Sequence, residues 1–147
     1  MESYLRETVF CQPRSFSQKQ FFSAICAGSK LLPNGAMGIL REVAASDRYM
    51  VGALNNEARE TNAYRFEQFG LKDLFQVALS SCFLGLRKPD AEIYERALDI
   101  LCRPAERVLF VDDREENVEA AQGVGMKAIH FEDADQLRRE FETLGVF

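Results

Sequence analysis

A chain of 147 residues with a net charge of −5, 47% hydrophobic and 28% charged residues has room for one domain of common size with a real core, and none for a second full one. The acidic balance argues against a nucleic-acid partner, and no stretch approaches the roughly 18 consecutive apolar residues of a membrane span. Cys11, Cys26, Cys82 and Cys102 share no CxxC spacing and the only histidine is His130, so reduced thiols in a cytoplasmic protein fit better than disulfides or zinc. The opening MESYLRETVF lacks the charged-then-apolar order of a signal peptide.

The front of the chain is helical in character. Phe16, Phe21, Phe22 and Ile25 predict an amphipathic helix starting near Ser17, bracketed by Pro13 and Pro33, and Met37, Leu40, Val43 and Ala44 predict a second over Asn34 to Ala45. Near Ser46 to Tyr49 the pattern changes. Tyr49 to Leu54 is a continuous apolar run of strand length that delivers Asn55, Asn56 and Glu57 at its end, and a helix follows from Ala58 to Phe69, closed by Gly70. A short strand over Gln76 to Leu79 exits into Ser80, Ser81 and Cys82. Pro89 suits the first turn of a helix running to about Cys102, which puts Lys88 just before a helix N-terminus, where it either meets an anion or lies solvated near Asp90 and Glu92.

The stretch RVLFVDDREENVEAA, residues 107 to 121, is the centre of the pattern. Val108 to Val111 run straight into Asp112 and Asp113, as a buried parallel strand releases its polar groups at the carboxyl edge where open α/β sheets bind ligands. Two adjacent carboxylates repel unless a cation neutralises them, so the pair suits Mg²⁺, a hard ion that prefers carboxylate oxygens. Alternatively, one Asp caps the next helix and the other is solvated. Lys127 to Phe131 forms a last strand, and Asp133 to Leu144 a last helix with Asp133 at the N-cap and Gln136 at the capping-box position. Strands alternating with helices predict an α/β fold, a parallel Rossmann-like sheet covered on both faces.

Three strand ends in order thus offer Asn55 and Asn56, then Lys88, then Asp112 and Asp113. In that order the sequence resembles the haloacid dehalogenase superfamily of hydrolases: LNNEARE at 54 to 60 looks like its second motif, GLRKPDAEIYERAL at 85 to 98 its third, and VLFVDDREENVEAAQGVGMKAIHF at 108 to 131 its fourth with the strand beyond. Residues 1–48 resemble the later part of the small helical cap of one branch, leaving residues 49–147 as the α/β core. The resemblance implies attack by an aspartate carboxylate on a phosphorus or carbon centre and hydrolysis of the covalent intermediate, with Mg²⁺ as cofactor and a small phosphorylated or halogenated substrate. It implies Asp112 as a metal ligand, Asp113 as a second metal-site acceptor holding a metal-bound water or Lys88, Lys88 between nucleophile and phosphoryl oxygens, and Asn55 and Asn56 as substrate hydrogen-bond donors.

One part of the family pattern has no match. An apolar strand ending in Asp-x-Asp should precede the cap, but the only aspartate before Asn55 is Asp47, and the only Asp-x-Asp, Asp133-Ala134-Asp135, follows the last strand. The expectation is a family hydrolase whose nucleophile and central strand are missing from residues 1–147, impaired in turnover; the alternative is a non-catalytic remnant that binds a partner. VLFVDD also resembles the start of a phospho-acceptor receiver domain, but only 34 residues follow Asp113. Without the central strand, the strand ending at Val111 should close against the one ending at Leu54, or another segment or a second copy should fill the slot by self-association.

Overall fold

The computed structural model describes residues 15–33 and 35–147, so the expectations that fall on Cys11, Pro13 and Asn34 lie outside the described residues. Helix α1, Gln18–Gly28, starts as the sequence predicts: the Ser17 hydroxyl accepts from the Gln20 amide, and the Gln20 side chain accepts from the Ser17 amide. Helix α2, Ala36–Ala45, follows Gly35 in the left-handed region at φ +77°, where an added Cβ would come within 2.7 Å of the Ala134 Cβ. The α/β part runs β1 (Gly52–Asn55), α3 (Arg59–Gln68), β2 (Val77–Ser80), α4 (Ser81–Leu84), α5 (Ala91–Leu101), β3 (Leu109–Asp112), α6 (Glu115–Gly123), β4 (Lys127–His130) and α7 (Ala134–Thr143).

Strand positions agree with the apolar runs, and their starts differ for a physical reason. Tyr49 and Met50, which the sequence reads as strand, lie exposed before β1. Pro89 follows a cis peptide bond in the turn ahead of α5, and Asp90 takes the N-cap position. Asp133 caps α7, its carboxylate accepting from the Gln136 amide at 2.7 Å, while the Gln136 side chain donates to the His130 carbonyl and accepts from the Glu132 amide.

Helices cover both faces, as an all-parallel arrangement requires. On one face Ile39 of α2 and Leu137 and Phe141 of α7 bury against Ile129, with Leu109 and Val111 packed beside them. On the other, Ile93 and Tyr94 of α5, Ala121 of α6 and Met126 are buried together with Leu54, Val108 and Phe110. The alternation of β3 thus serves two cores, Leu109 and Val111 in one and Val108 and Phe110 in the other. Ile93 and Tyr94 are fully buried, worth about 1.5–3 kcal/mol for an aliphatic side chain of this size, and the Tyr94 and Phe110 rings meet edge to face at 5.4 Å.

The strands form two separate parallel ladders among the described residues. β1 pairs with β2, Gly52 opposite Val77 through Asn55 opposite Ser80, and β3 pairs with β4, Leu109 opposite Lys127 through Asp112 opposite His130. Gly52 permits close approach in the first ladder, because a Cβ there would sit 2.7 Å from Val77 Cγ1. β1 and β3 are not hydrogen-bonded to each other, so the direct closure expected in the absence of a central strand does not occur. Both nevertheless pack on the same cluster around Ile93 and Tyr94, through Leu54 and Phe110.

Candidate active site

Each ladder ends at its carboxyl edge in polar groups, and the segment between α4 and α5 joins the two. The Asn56 side chain, just past β1, clamps the main chain of Lys88 with both of its polar atoms: Nδ2 donates to the Lys88 carbonyl at 2.8 Å and Oδ1 accepts from the Lys88 amide at 2.9 Å. That clamp fixes the Lys88 backbone, and the side chain runs to the end of β3, where Nζ lies 2.5 Å from Asp112 Oδ2. Both side chains are largely shielded from solvent, with exposures of 10% and 7%. The Lys88 ammonium also lies 5.4 Å from the centre of the Phe110 ring.

Asp112 is held from three sides. Besides Lys88, its Oδ1 accepts from the Arg114 amide at 3.0 Å and from Asn117 Nδ2 at 2.8 Å. Burial raises its pKa, but the bonds from Lys88, Asn117 and the Arg114 amide outweigh that and hold the carboxyl below its ordinary value. Tyr94, under the same edge, is pushed up to about 12 by burial and by the charges of Asp112 and Glu116, and its hydroxyl donates to the Asn117 carbonyl at 3.0 Å.

The two adjacent acids are therefore unlike. Asp112 serves at once as the turn-forming carboxylate before α6 and as the counterion of Lys88. Asp113 is exposed, its carbonyl 3.1 Å from His130 Nε2, and among the described residues its carboxylate makes no hydrogen bond or ion pair. Lys88 pairs with the first acid, not the second.

At the end of β1, Asn55 Nδ2 donates to Asn62 Oδ1 at 3.0 Å, and the buried Ser80 hydroxyl donates to the same oxygen at 3.1 Å. Among the described residues, Asn55 Oδ1 is buried without a hydrogen-bond partner. Glu57 is engaged by Arg65 and by the Thr61 hydroxyl, while its amide donates to Ser81 Oγ at 3.0 Å. Asn62 and Asn117 are site residues that the sequence reading passed over. Their signal is spacing: Asn117 lies five residues past Asp112 and Asn62 seven past Asn55, so each returns from the first turns of a helix to the strand end before it.

Two further aspartates that the sequence singles out have other places. Asp133 is spent on the α7 cap, and Asp47 lies in the turn after α2 with φ +51°. Among the described residues no three His, Cys, Asp or Glu side chains converge as a ready metal cluster. Mg²⁺ needs less, since it keeps several waters and takes one or two carboxylates plus substrate phosphate oxygens. The exposed Asp113 and the ionised Asp112 supply hard carboxylate oxygens of that kind, so the residue types present fit such an ion. Among the described residues no helix is long and apolar enough to cross a membrane.

Comparison with known proteins places this edge in a family. The sequence model of the haloacid dehalogenase-like hydrolases matches residues 8–125. The chain is 35% identical over 116 residues to the sesquiterpene phosphatase astK of Aspergillus oryzae, covering 63% of this chain and 59% of that protein. It is 29% identical over 145 residues to the flavin mononucleotide hydrolase 1 of Arabidopsis thaliana, covering 99% and 58%. It thus spans somewhat over half the length of these relatives. Among solved structures, a HAD family enzyme from Bacteroides thetaiotaomicron superposes with a TM-score of 0.73 at 20% identity, covering 87% of this chain and 65% of that one, and the same enzyme has been crystallised with magnesium and inorganic phosphate. Motif order, strand-end geometry and the family match agree: this chain belongs to the haloacid dehalogenase-like hydrolases.

Proposed function

We propose that residues 1–147 carry the cation and metal side of a magnesium-dependent phosphate-ester hydrolase site, and that alone they do not turn over substrate. The observation that carries this reading is the buried Lys88 to Asp112 pair, held at the carboxyl edge by the Asn56 clamp. An ammonium fixed there is placed to neutralise a phosphoryl group, and Arg114 and Asn117 keep Asp112 oriented and ionised for it. Asp112 and Asp113 would hold Mg²⁺, which supplies charge neutralisation at the phosphoryl oxygens. The Asn55 amide would orient the substrate at the end of β1, and Asn56 acts as a positioning residue through Lys88. The phosphatase relatives favour a phosphate ester over a haloacid. Three described cysteines, Cys26, Cys82 and Cys102, are free thiols, consistent with a reducing, cytoplasmic setting.

Hydrolysis through a covalent intermediate needs a carboxylate nucleophile facing Lys88, and no residue described here takes that place. Purified residues 1–147 with Mg²⁺ are therefore expected to leave an aryl phosphate unhydrolysed above background. Turnover that disappears in Asp112→Asn would overturn this and make the acid pair the source of the nucleophile. The second reading, a non-catalytic binding protein, is favoured by the edges that β1 and β3 leave unpaired among the described residues.

A further inference from the structure

The two adjacent acids are placed by different means. Asp112 is held through its own carboxylate, which takes Lys88, the Arg114 amide and Asn117. The Asp113 carboxylate is exposed and makes no hydrogen bond or ion pair among the described residues, so its direction is set by the backbone that carries it. That backbone is tied on both sides.

The peptide unit before Asp113 has its carbonyl, that of Asp112, bonded to the Phe131 amide at 2.8 Å, which continues the ladder of β3 with β4. The peptide unit after Asp113 is held at both of its polar groups: the Arg114 amide donates to Asp112 Oδ1 at 3.0 Å, and the Asp113 carbonyl lies 3.1 Å from His130 Nε2. A carbonyl only accepts, so Nε2 is a protonated ring nitrogen and donates. Peptide units are planar, and with both planes fixed the two dihedral angles of Asp113 between them are fixed as well, which sets the direction of its Cβ. Of these ties, the one from His130 comes from a side chain outside the acid turn. His130 is anchored in its turn, standing opposite Asp112 in the ladder, with its carbonyl accepting from Gln136 Nε2 at 3.1 Å at the start of α7.

We propose that His130 is a positioning residue of the metal site: by donating from Nε2 to the Asp113 carbonyl it fixes the peptide plane after Asp113, and so aims at the cation a carboxylate that no side-chain partner holds. The inference rests on the reading of Asp113 as a magnesium ligand. His130 is not itself a ligand in this account, because Mg²⁺ prefers oxygen and the ring nitrogen that reaches the edge is a donor already engaged. The tie acts on the main chain, so another side chain that presents an N–H at the same reach can supply it. Glutamine does, since its amide nitrogen stands as many bonds from Cα as Nε2 of the ring.

The test compares residues 1–147 with His130→Ala and His130→Gln, first without metal and then in a titration with MgCl₂ alone. Without metal, the backbone order parameters of Asp113 and Arg114 from amide relaxation are expected to fall in His130→Ala and to recover in His130→Gln. With MgCl₂, the Kd read from the Asp113 amide shift is expected to rise about tenfold or more in His130→Ala and to stay within about threefold of the parent in His130→Gln. A ring that only stabilised the fold would lower the unfolding midpoint and leave both readings alone. Unchanged order or an unchanged Kd in His130→Ala, or a His130→Gln variant as weak as His130→Ala, would overturn the proposal. Failure of the metal reading looks different: the parent chain itself then shows no Asp113 response to MgCl₂, which overturns the metal site and its positioning residue together, whereas an unchanged Kd in His130→Ala overturns His130 and leaves the metal site standing.

Discussion

The two half-sheets differ at their carboxyl edges. The β1 and β2 half is satisfied from within: Asn55, Asn62 and Ser80 form a neutral network with one oxygen left over, and the charge of Glu57 is met by Arg65 of the same half. The β3 and β4 half ends in a carboxylate whose counterion comes from outside, from the segment that Asn56 of the other half holds in place. A neutral network can be complete within one half, but a buried charge needs a partner, and here the partner spans both. The charged edge therefore couples the halves where the backbone does not.

Breaking the charged edge should cost most. Asp112→Ala leaves the Lys88 ammonium buried without its counterion, and a loss of about 3–5 kcal/mol is expected in urea unfolding. Lys88→Met combined with Asp112→Leu should recover much of that loss, since an apolar pair removes both desolvated charges. Asn56→Ala cuts the joint itself, freeing two backbone groups of Lys88, and should cost about 1–3 kcal/mol. Asn62→Ala strips the neutral half of its shared acceptor, at about the same cost or less, and should leave the pH dependence of stability intact.

Acid should distinguish the halves directly. The Asp112 pKa is lowered in the folded state, so its contribution is present above the ordinary value of 3.8 and is lost as pH falls through the lower folded value. Urea titrations from about pH 5 to about pH 2.5 should show stability falling with pH in the parent chain and a shallower fall in Asp112→Asn. An equal slope in both would remove Asp112 as the source. The smallest effect is expected at the exposed pair of Glu42 and Arg138, 2.7 Å apart between α2 and α7: Glu42→Ala should leave the melting temperature unchanged within error.

Much of this arrangement is legible in the sequence because strand ends announce themselves. Four apolar residues running into Asp112 predict both a buried strand and its carboxyl edge, while the position of Lys88 leaves a solvated lysine open and only the family resemblance brings it to that edge. Sequence does not report which strands become neighbours, so an apolar β3 reads as the interior of a sheet although among the described residues it pairs with β4 alone. Asn62 and Asn117 were hidden for a related reason. An asparagine in a helix reads as solvated, and only the fold shows that its helix starts beside the strand end to which it returns. The choice of Lys88 between the two adjacent acids is not legible either, because the pattern offers two like carboxylates and does not say which of them meets Lys88.

The most direct test of the site is a titration of residues 1–147 with MgCl₂ and inorganic phosphate, followed through backbone amide resonances. Magnesium is expected to shift Asp112, Asp113 and Arg114, and phosphate added with it to shift Asn55, Asn56 and Lys88, with both responses absent in the Lys88→Met and Asp112→Leu double variant. Shifts confined to other parts of the chain, or an undiminished response in that variant, would contradict a metal and phosphate site at this edge.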